Sequence, residues 1–178
     1  MRHLGHRFKF VSVQSADELF TPKFVEYLLA LHDKFSNHVH ELLKKRTVVL
    51  DKALNQLVLP TYLPTSEANT GDWKVPPVPK ELKTPGIEIS GPASITSMFI
   101  NAVNPGPDGT RAEGYLDDDE DSSGHRLIDT ITATLNRLAS VKRTLYYYDK
   151  QKDKEYHLQD GNLPFLIHRE RGLHLNEP

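Results

Sequence analysis

Prolines at positions 60, 64, 76, 77, 79 and 85 divide this chain into two regimes. Each proline removes a backbone N–H and fixes φ, so the segment 60–85 has little capacity for helix or sheet. Whatever folds on either side must do so with its own periodicity. The segment reads as a connector between a helical region, residues 1–59, and an α/β region, residues 86–178. Its tryptophan, Trp73, is expected to pin the connector by burying its ring.

Upstream, Phe24, Leu28, Leu31, Phe35, Val39, Leu42, Val49 and Ala53 follow steps mostly of three and four. That spacing predicts an amphipathic helix, or two in series. Thr21 is suited to cap it, and Pro22 to its first turn. The opening run FKFVSV is interrupted by Lys9 and is too short for a signal-peptide core. No stretch approaches the ~18 apolar residues a membrane-spanning helix needs.

Downstream, the rhythm shortens. GIEIS at 86–90 reads as a strand, Gly91-Pro92 as a turn and 94–103 as a helix. A second strand follows at 112–117. Leu127, Ile131, Leu135 and Leu138 then repeat at helical spacing. Residues 141–158 read as a hairpin around the polar turn QKDK, and LPFLIHRERG as a further strand. Strands alternating with helices over short links predict a parallel sheet.

The charge balance is near neutral, −2 from 22 basic and 24 acidic side chains. It leaves no electrostatic footprint for nucleic acid or an anionic membrane, and neither is expected as a partner. With no cysteine there is no disulfide framework and no thiolate metal site. His38 and His40 lie on different faces of their helix, and HELLK at 40–44 is not a zinc motif. P-loop, GxGxxG and GxSxG patterns are absent from the sequence.

Two stretches remain for chemistry. In GYLDDDEDS, residues 114–122, an apolar step runs into five consecutive acids, Asp117 to Asp121. The run is either a solvated charge cluster or the carboxyl end of a strand, where α/β proteins place their sites. Period-two alternation sends Asp117, Asp119 and Asp121 to one side, and Asp118 and Glu120 to the other. Hard oxygen donors grouped in this way suit Mg²⁺ or its waters. In LPFLIHRERG, Phe165, Ile167 and Arg169 share a strand face, with Leu166, His168 and Glu170 opposite. Arg169 is either half of a surface ion pair or a permanent cation at the strand's mouth, able to orient an anion. His174, just past Gly172, is a candidate neighbour.

Together these stretches resemble malate synthases of the shorter, A-type form. LFTPKFVEYLLALHDKF is similar to that family's first helix, and LPTYLPTSEANTGDWKVPPVPKEL to its proline-rich connector. IEISGPASITSMFINAVN resembles its EITGP…INALN segment, GYLDDDEDS its strand ending in DFEDS, and LIHRERGLHL its RxRG(W/L)HL motif. The resemblance implies an α/β protein with an N-terminal helical region, then the first strands of an incomplete β/α (TIM-type) barrel: about three parallel strands plus a hairpin insertion. It implies condensation of acetyl-CoA with glyoxylate, in the glyoxylate cycle, to give malate and CoA, with Mg²⁺ as cofactor. Arg169 matches the catalytic arginine; Glu120, Asp121 and Asp118 match acids that bind substrate or lie near the metal. Direct metal ligands are expected beyond residue 178. The isolated chain is therefore expected to be an incomplete, inactive piece, cytoplasmic or, alternatively, peroxisomal or glyoxysomal. Two other readings are a non-catalytic relative acting as an interaction protein, and a magnesium carboxylate barrel of the citrate-lyase β-subunit type. The sequence departs from the resemblance where Asp119 stands for a phenylalanine, Asp117 for a small residue and Glu170 for a proline or apolar residue.

Overall fold

The computed structural model describes residues 2–4, 7–83 and 86–172. Two compact units are formed, Met1–Val25 with Pro79–Pro178, and Glu26–Val78.

The unit Glu26–Val78 is built on α2, Pro22–Asn55, a single continuous helix of 34 residues rather than two in series. No proline or glycine interrupts it after Pro22. Thr21 caps it, its hydroxyl accepting the Phe24 N–H at 3.3 Å. At its other end Leu57 takes φ 56° and Val58 N–H reaches back to Lys52 C=O at 3.0 Å, a left-handed stop made without glycine. Phe35, Leu42, Leu43, Leu50 and Leu54 on this helix are exposed. Trp73 departs from expectation: its ring is 60% exposed, and its Nε1–H donates to Ala68 C=O at 2.9 Å. A short helix of the connector, α3 (Glu67–Thr70), is closed by Ser66 and Asn69, so the indole is tied by its polar edge rather than by burial.

The other unit begins with a hairpin that sequence patterning did not reveal, β1 (Arg2–Leu4) antiparallel to β2 (Phe8–Phe10). A short helix α1, Ala16–Leu19, follows. Phe8, Phe10 and Phe20 meet at ring-centroid distances of 4.8 to 5.7 Å. Phe10 and Ala16 form one buried cluster with Ile131.

The centre of this unit is a three-stranded parallel sheet in the order β3 (Glu88–Gly91), β4 (Gly114–Asp118), β7 (Phe165–Arg169). Helix α4, Thr96–Val103, connects β3 to β4, and α5, Leu127–Val141, follows β4. The antiparallel hairpin β5 (Tyr146–Asp149) and β6 (Lys154–His157) is inserted before β7. Each of these elements lies within a few residues of its sequence expectation. The protein is thus a mixed α/β chain with a long N-terminal helix and a small parallel sheet; the sheet of the described residues is not closed into a barrel.

The core lies on one face of the sheet. Ala93, Phe99, Ile100, Val103, Tyr115 and Ala133 pack into one cluster, with Phe99 and Tyr115 rings 5.0 Å apart. Tyr115 and Asp117 therefore face the helices, while Leu116 and Asp118 face the other way. Burying each large side chain here contributes about 1.5–3 kcal/mol. That face anchors the sheet and leaves the opposite face for the site.

Candidate functional site

Strands β4 and β7 run parallel, and their last register pair is Asp118 with Arg169. The two side chains point to the same face from adjacent carboxyl ends. Arg169 donates from Nε to Asp118 Oδ1 at 2.9 Å and from Nη2 to Oδ2 at 2.6 Å. This two-point pairing fits the planar fork of a guanidinium to a carboxylate.

Asp118 also shapes the turn that follows it. Its Oδ1 accepts the N–H groups of Glu120 and Asp121 at 3.0 and 3.1 Å, and its carbonyl accepts Ser123 N–H at 3.0 Å. The chain folds back over the strand end, and Asp121 reaches Arg169 Nη2 while Glu120 Oε2 lies 3.7 Å from Arg169 Nε. Alternation had grouped Asp121 with Asp117 and Asp119. The structure corrects this: β4 ends at Asp118, and the turn carries Asp121 to the Asp118 side.

Three carboxylates surround one guanidinium, so the cluster is net negative. The bond from Arg169 holds the buried Asp118 carboxyl down to about 2. The bonds to Asp118 and Asp121 raise the pKa of Arg169 in turn. Asp118 is enclosed, whereas Asp121 is mostly exposed and Arg169 partly so. The cluster is therefore open to solvent on the Asp121 side, with hard oxygen atoms and spare N–H groups side by side. Such an arrangement can take a divalent cation, and next to it an anion.

A second charged group lies on the helix-covered face. Asp117, almost fully buried, accepts Ala93 N–H at 2.8 Å through Oδ1 and is paired with Arg137 of α5 through Oδ2. Arg137 Nη1 also lies 3.0 Å from His168 Nδ1, and His168 Nε2 is 3.8 Å from Asp119 Oδ2. Burial raises the pKa of Asp119 and lowers that of Arg137. Asp117, Asp119 and His168 have the side chains of a metal centre, their donor atoms within 4.8 Å of one another. The Arg137 guanidinium is already bonded to two of them, so the place of a cation is taken.

Arg137 and His168 were not singled out from sequence. The available signal was a cation at 137, one turn after Ala133 on the buried side of α5, facing odd-numbered acids on the preceding strand. Two of the three acids by which the sequence departs from the resemblance, Asp117 and Asp119, are thus matched by Arg137 and His168 and kept off the Arg169 face. His38 and His40 lie in α2, in the other unit. His174 lies outside the described residues.

No family model matches the chain. Known proteins do. It is 31% identical over 168 residues to the malate synthase of Streptomyces clavuligerus, covering 93% of this chain and 30% of that one. It is 30% identical over 161 residues to malate synthase A of Escherichia coli (strain K12), covering 90% and 28%. It is 28% identical over 161 residues to the glyoxysomal malate synthase of Glycine max, covering 90% and 27%. The chain belongs to the malate synthase family.

The chain spans about 30% of the length of the curated relatives it matches. A match over 93% of this chain necessarily takes in the long helix α2 and the strand β4. Among the described residues no helix is long and apolar enough to cross a membrane.

Proposed function

We propose that the chain is the N-terminal part of a malate synthase-type acyltransferase, which joins acetyl-CoA to glyoxylate and releases malate and CoA. The observation that carries this reading is the meeting of Arg169 with Asp118, Glu120 and Asp121 at the carboxyl ends of adjacent parallel strands. The same place in β/α proteins carries their chemistry. The order β3-α4-β4-α5, with helices on one face, suits the opening strands of a β/α barrel. Under this reading residues 1–59 form the helical region, 60–85 the connector and 86–178 the partial barrel.

The donor set fits Mg²⁺, since Asp118, Glu120 and Asp121 offer carboxylate oxygens beside a solvent opening. Glu120 and Asp121 would hold the ion or its waters, and the bound ion would polarise the carbonyl of glyoxylate. Arg169, kept in place by Asp118, has two N–H groups left on Nη1 after its bonds to Asp118 and Asp121. One donates to the oxygen that gains charge when acetyl-CoA becomes an enolate, and the other orients the carboxylate of glyoxylate. The 178 residues alone are expected to be inactive. Incubation with acetyl-CoA, glyoxylate and Mg²⁺ in a thiol-release assay tests this; sustained turnover by the purified chain contradicts it. The reaction places the complete enzyme in the glyoxylate cycle, in the cytoplasm or in a peroxisome-type compartment.

The exposed apolar residues of α2, among them Phe35, Leu42 and Leu50, favour a second reading, an interaction protein that binds another chain. Co-elution with an intact relative on size exclusion supports it, and separate elution at micromolar concentrations counts against it.

A further inference from the structure

Consecutive residues of a strand point to opposite faces. The ends of β4 and β7 therefore present two successive register pairs, Asp118 with Arg169 on the open face and Asp117 with His168 behind it. In the rear pair Asp117 Oδ2 and His168 Nδ1 lie 3.2 Å apart, and a third side chain touches both. Arg137 reaches from α5 to Asp117 and, at 3.0 Å, to His168 Nδ1, while its Nη2 donates to Thr134 Oγ1 at 3.0 Å. We infer that Arg137 is a positioning residue for the open-face cluster: by tying Asp117 to His168 from behind, it holds the strand ends that bring Asp118 and Arg169 together.

The need for a tie follows from the topology. Among the described residues β7 pairs with one strand only, β4, and the last ladder bond is Asp119 N–H to Arg169 C=O at 3.1 Å. Beyond it no backbone bond joins the two strands among the described residues, and strand ends held from one side fray readily. Asp117 is anchored further, because Oδ1 accepts Ala93 N–H at the end of the β3 turn. The bridge thus connects the β3 turn, β4, α5 and β7. It is largely out of water, where a guanidinium–carboxylate pair is held firmly and removing one partner strands the other. Asp119, whose Oδ2 lies 3.9 Å from Arg137 Nη1, Tyr115, buried on the same face, and Glu170, just past β7, also face Arg137. The inference rests on the reading of the Asp118–Arg169 cluster as the working site, but its test involves no turnover.

The bridge has a signature. An arginine N–H can only donate, so the Arg137 bond requires His168 Nδ1 to accept, with the imidazole proton on Nε2 towards Asp119, whereas a proton on Nδ1 would go to Asp117 Oδ2, 3.2 Å away. Nitrogen-15 NMR of the unmodified chain near neutral pH is expected to show His168 Nδ1 unprotonated; a proton on Nδ1 overturns the bridge. In Arg137→Gln, exchange of the Arg169 Nε–H is expected to quicken about tenfold, with the amides of Tyr115 and Leu116 unchanged and partial recovery in Arg137→Lys. Unchanged Arg169 exchange in Arg137→Gln overturns the positioning role. If Arg137→Gln does not fold, the paired variant Asp117→Ala, Arg137→Leu carries the same comparison without a stranded buried charge. A loss of the cluster's order with no catalytic consequence in a complete enzyme would instead sink the functional reading and leave Arg137 as inferred.

Discussion

Asp118 and Arg169, 51 positions apart in the chain, are register partners on parallel strands and share two hydrogen bonds of 2.9 and 2.6 Å. The pairing joins the acidic run to the arginine of the last strand. It also leaves Glu120 and Asp121 beside the same guanidinium.

If that guanidinium stabilises developing charge, its loss must be felt in the chemical step. Arg169→Ala, made at the matching position of a complete family member, is expected to lower kcat roughly 10²–10³-fold with little change in melting temperature. Steady-state kinetics beside thermal unfolding separate the two effects. An unfolded variant, with no intact inactive enzyme, contradicts the role.

The low pKa of Asp118 gives a signed dependence on pH. Its folded value, about 2, lies below that of the unfolded chain, so its ionised form favours folding. That contribution is complete above about pH 4, near the ordinary aspartate value, and is lost as pH falls towards 2. Asp119 acts in the opposite sense, since burial raises its pKa and its ionisation on raising the pH costs stability. Urea unfolding between pH 2 and 5 is expected to show a steeper acid loss in the unmodified chain than in Asp118→Asn.

The cluster's net negative charge leads to a metal prediction. Arg169 competes with any cation for Asp118, Glu120 and Asp121. Removing it as Arg169→Ala is expected to tighten Mg²⁺ binding roughly tenfold, given about 1–4 kcal/mol between unit charges ~4 Å apart near a surface. Asp121→Asn is expected to weaken binding. Calorimetric titration with MgCl₂ reads both.

Leu57 ends α2 in a left-handed conformation that costs a side chain about 1–2 kcal/mol. Because Leu57 is 81% exposed, little packing is lost on its removal. Leu57→Gly is expected to stabilise this helix end by about 0.5–1 kcal/mol, after the entropy cost of glycine. Circular dichroism melting checks it; a lower melting temperature would show that Leu57 packs in a way its exposure does not reveal.

Local order was legible in the sequence wherever one periodicity dominated. Steps of three and four marked α2 and α5, and short apolar runs between turns marked β3, β4 and β7. The acids at 117–121 and Arg169 stood out because strand-end charges in an apolar context are costly without a partner. The hairpin β1–β2 was missed because three-residue strands carry too little alternation to register.

Residue by residue, the chain's own pattern determined that α2, α5, β3, β4 and β7 form and that the acidic run and Arg169 lie at strand ends. Only the tertiary structure decided which strand ends lie side by side, because register is settled by packing over the Tyr115–Phe99 core and not by local propensity. It also decided that Asp121 joins Asp118 while Asp117 and Asp119 turn to Arg137 and His168. A turn interrupts alternation at a point no periodicity announces, and a buried charge takes whichever opposite charge the packing brings within reach.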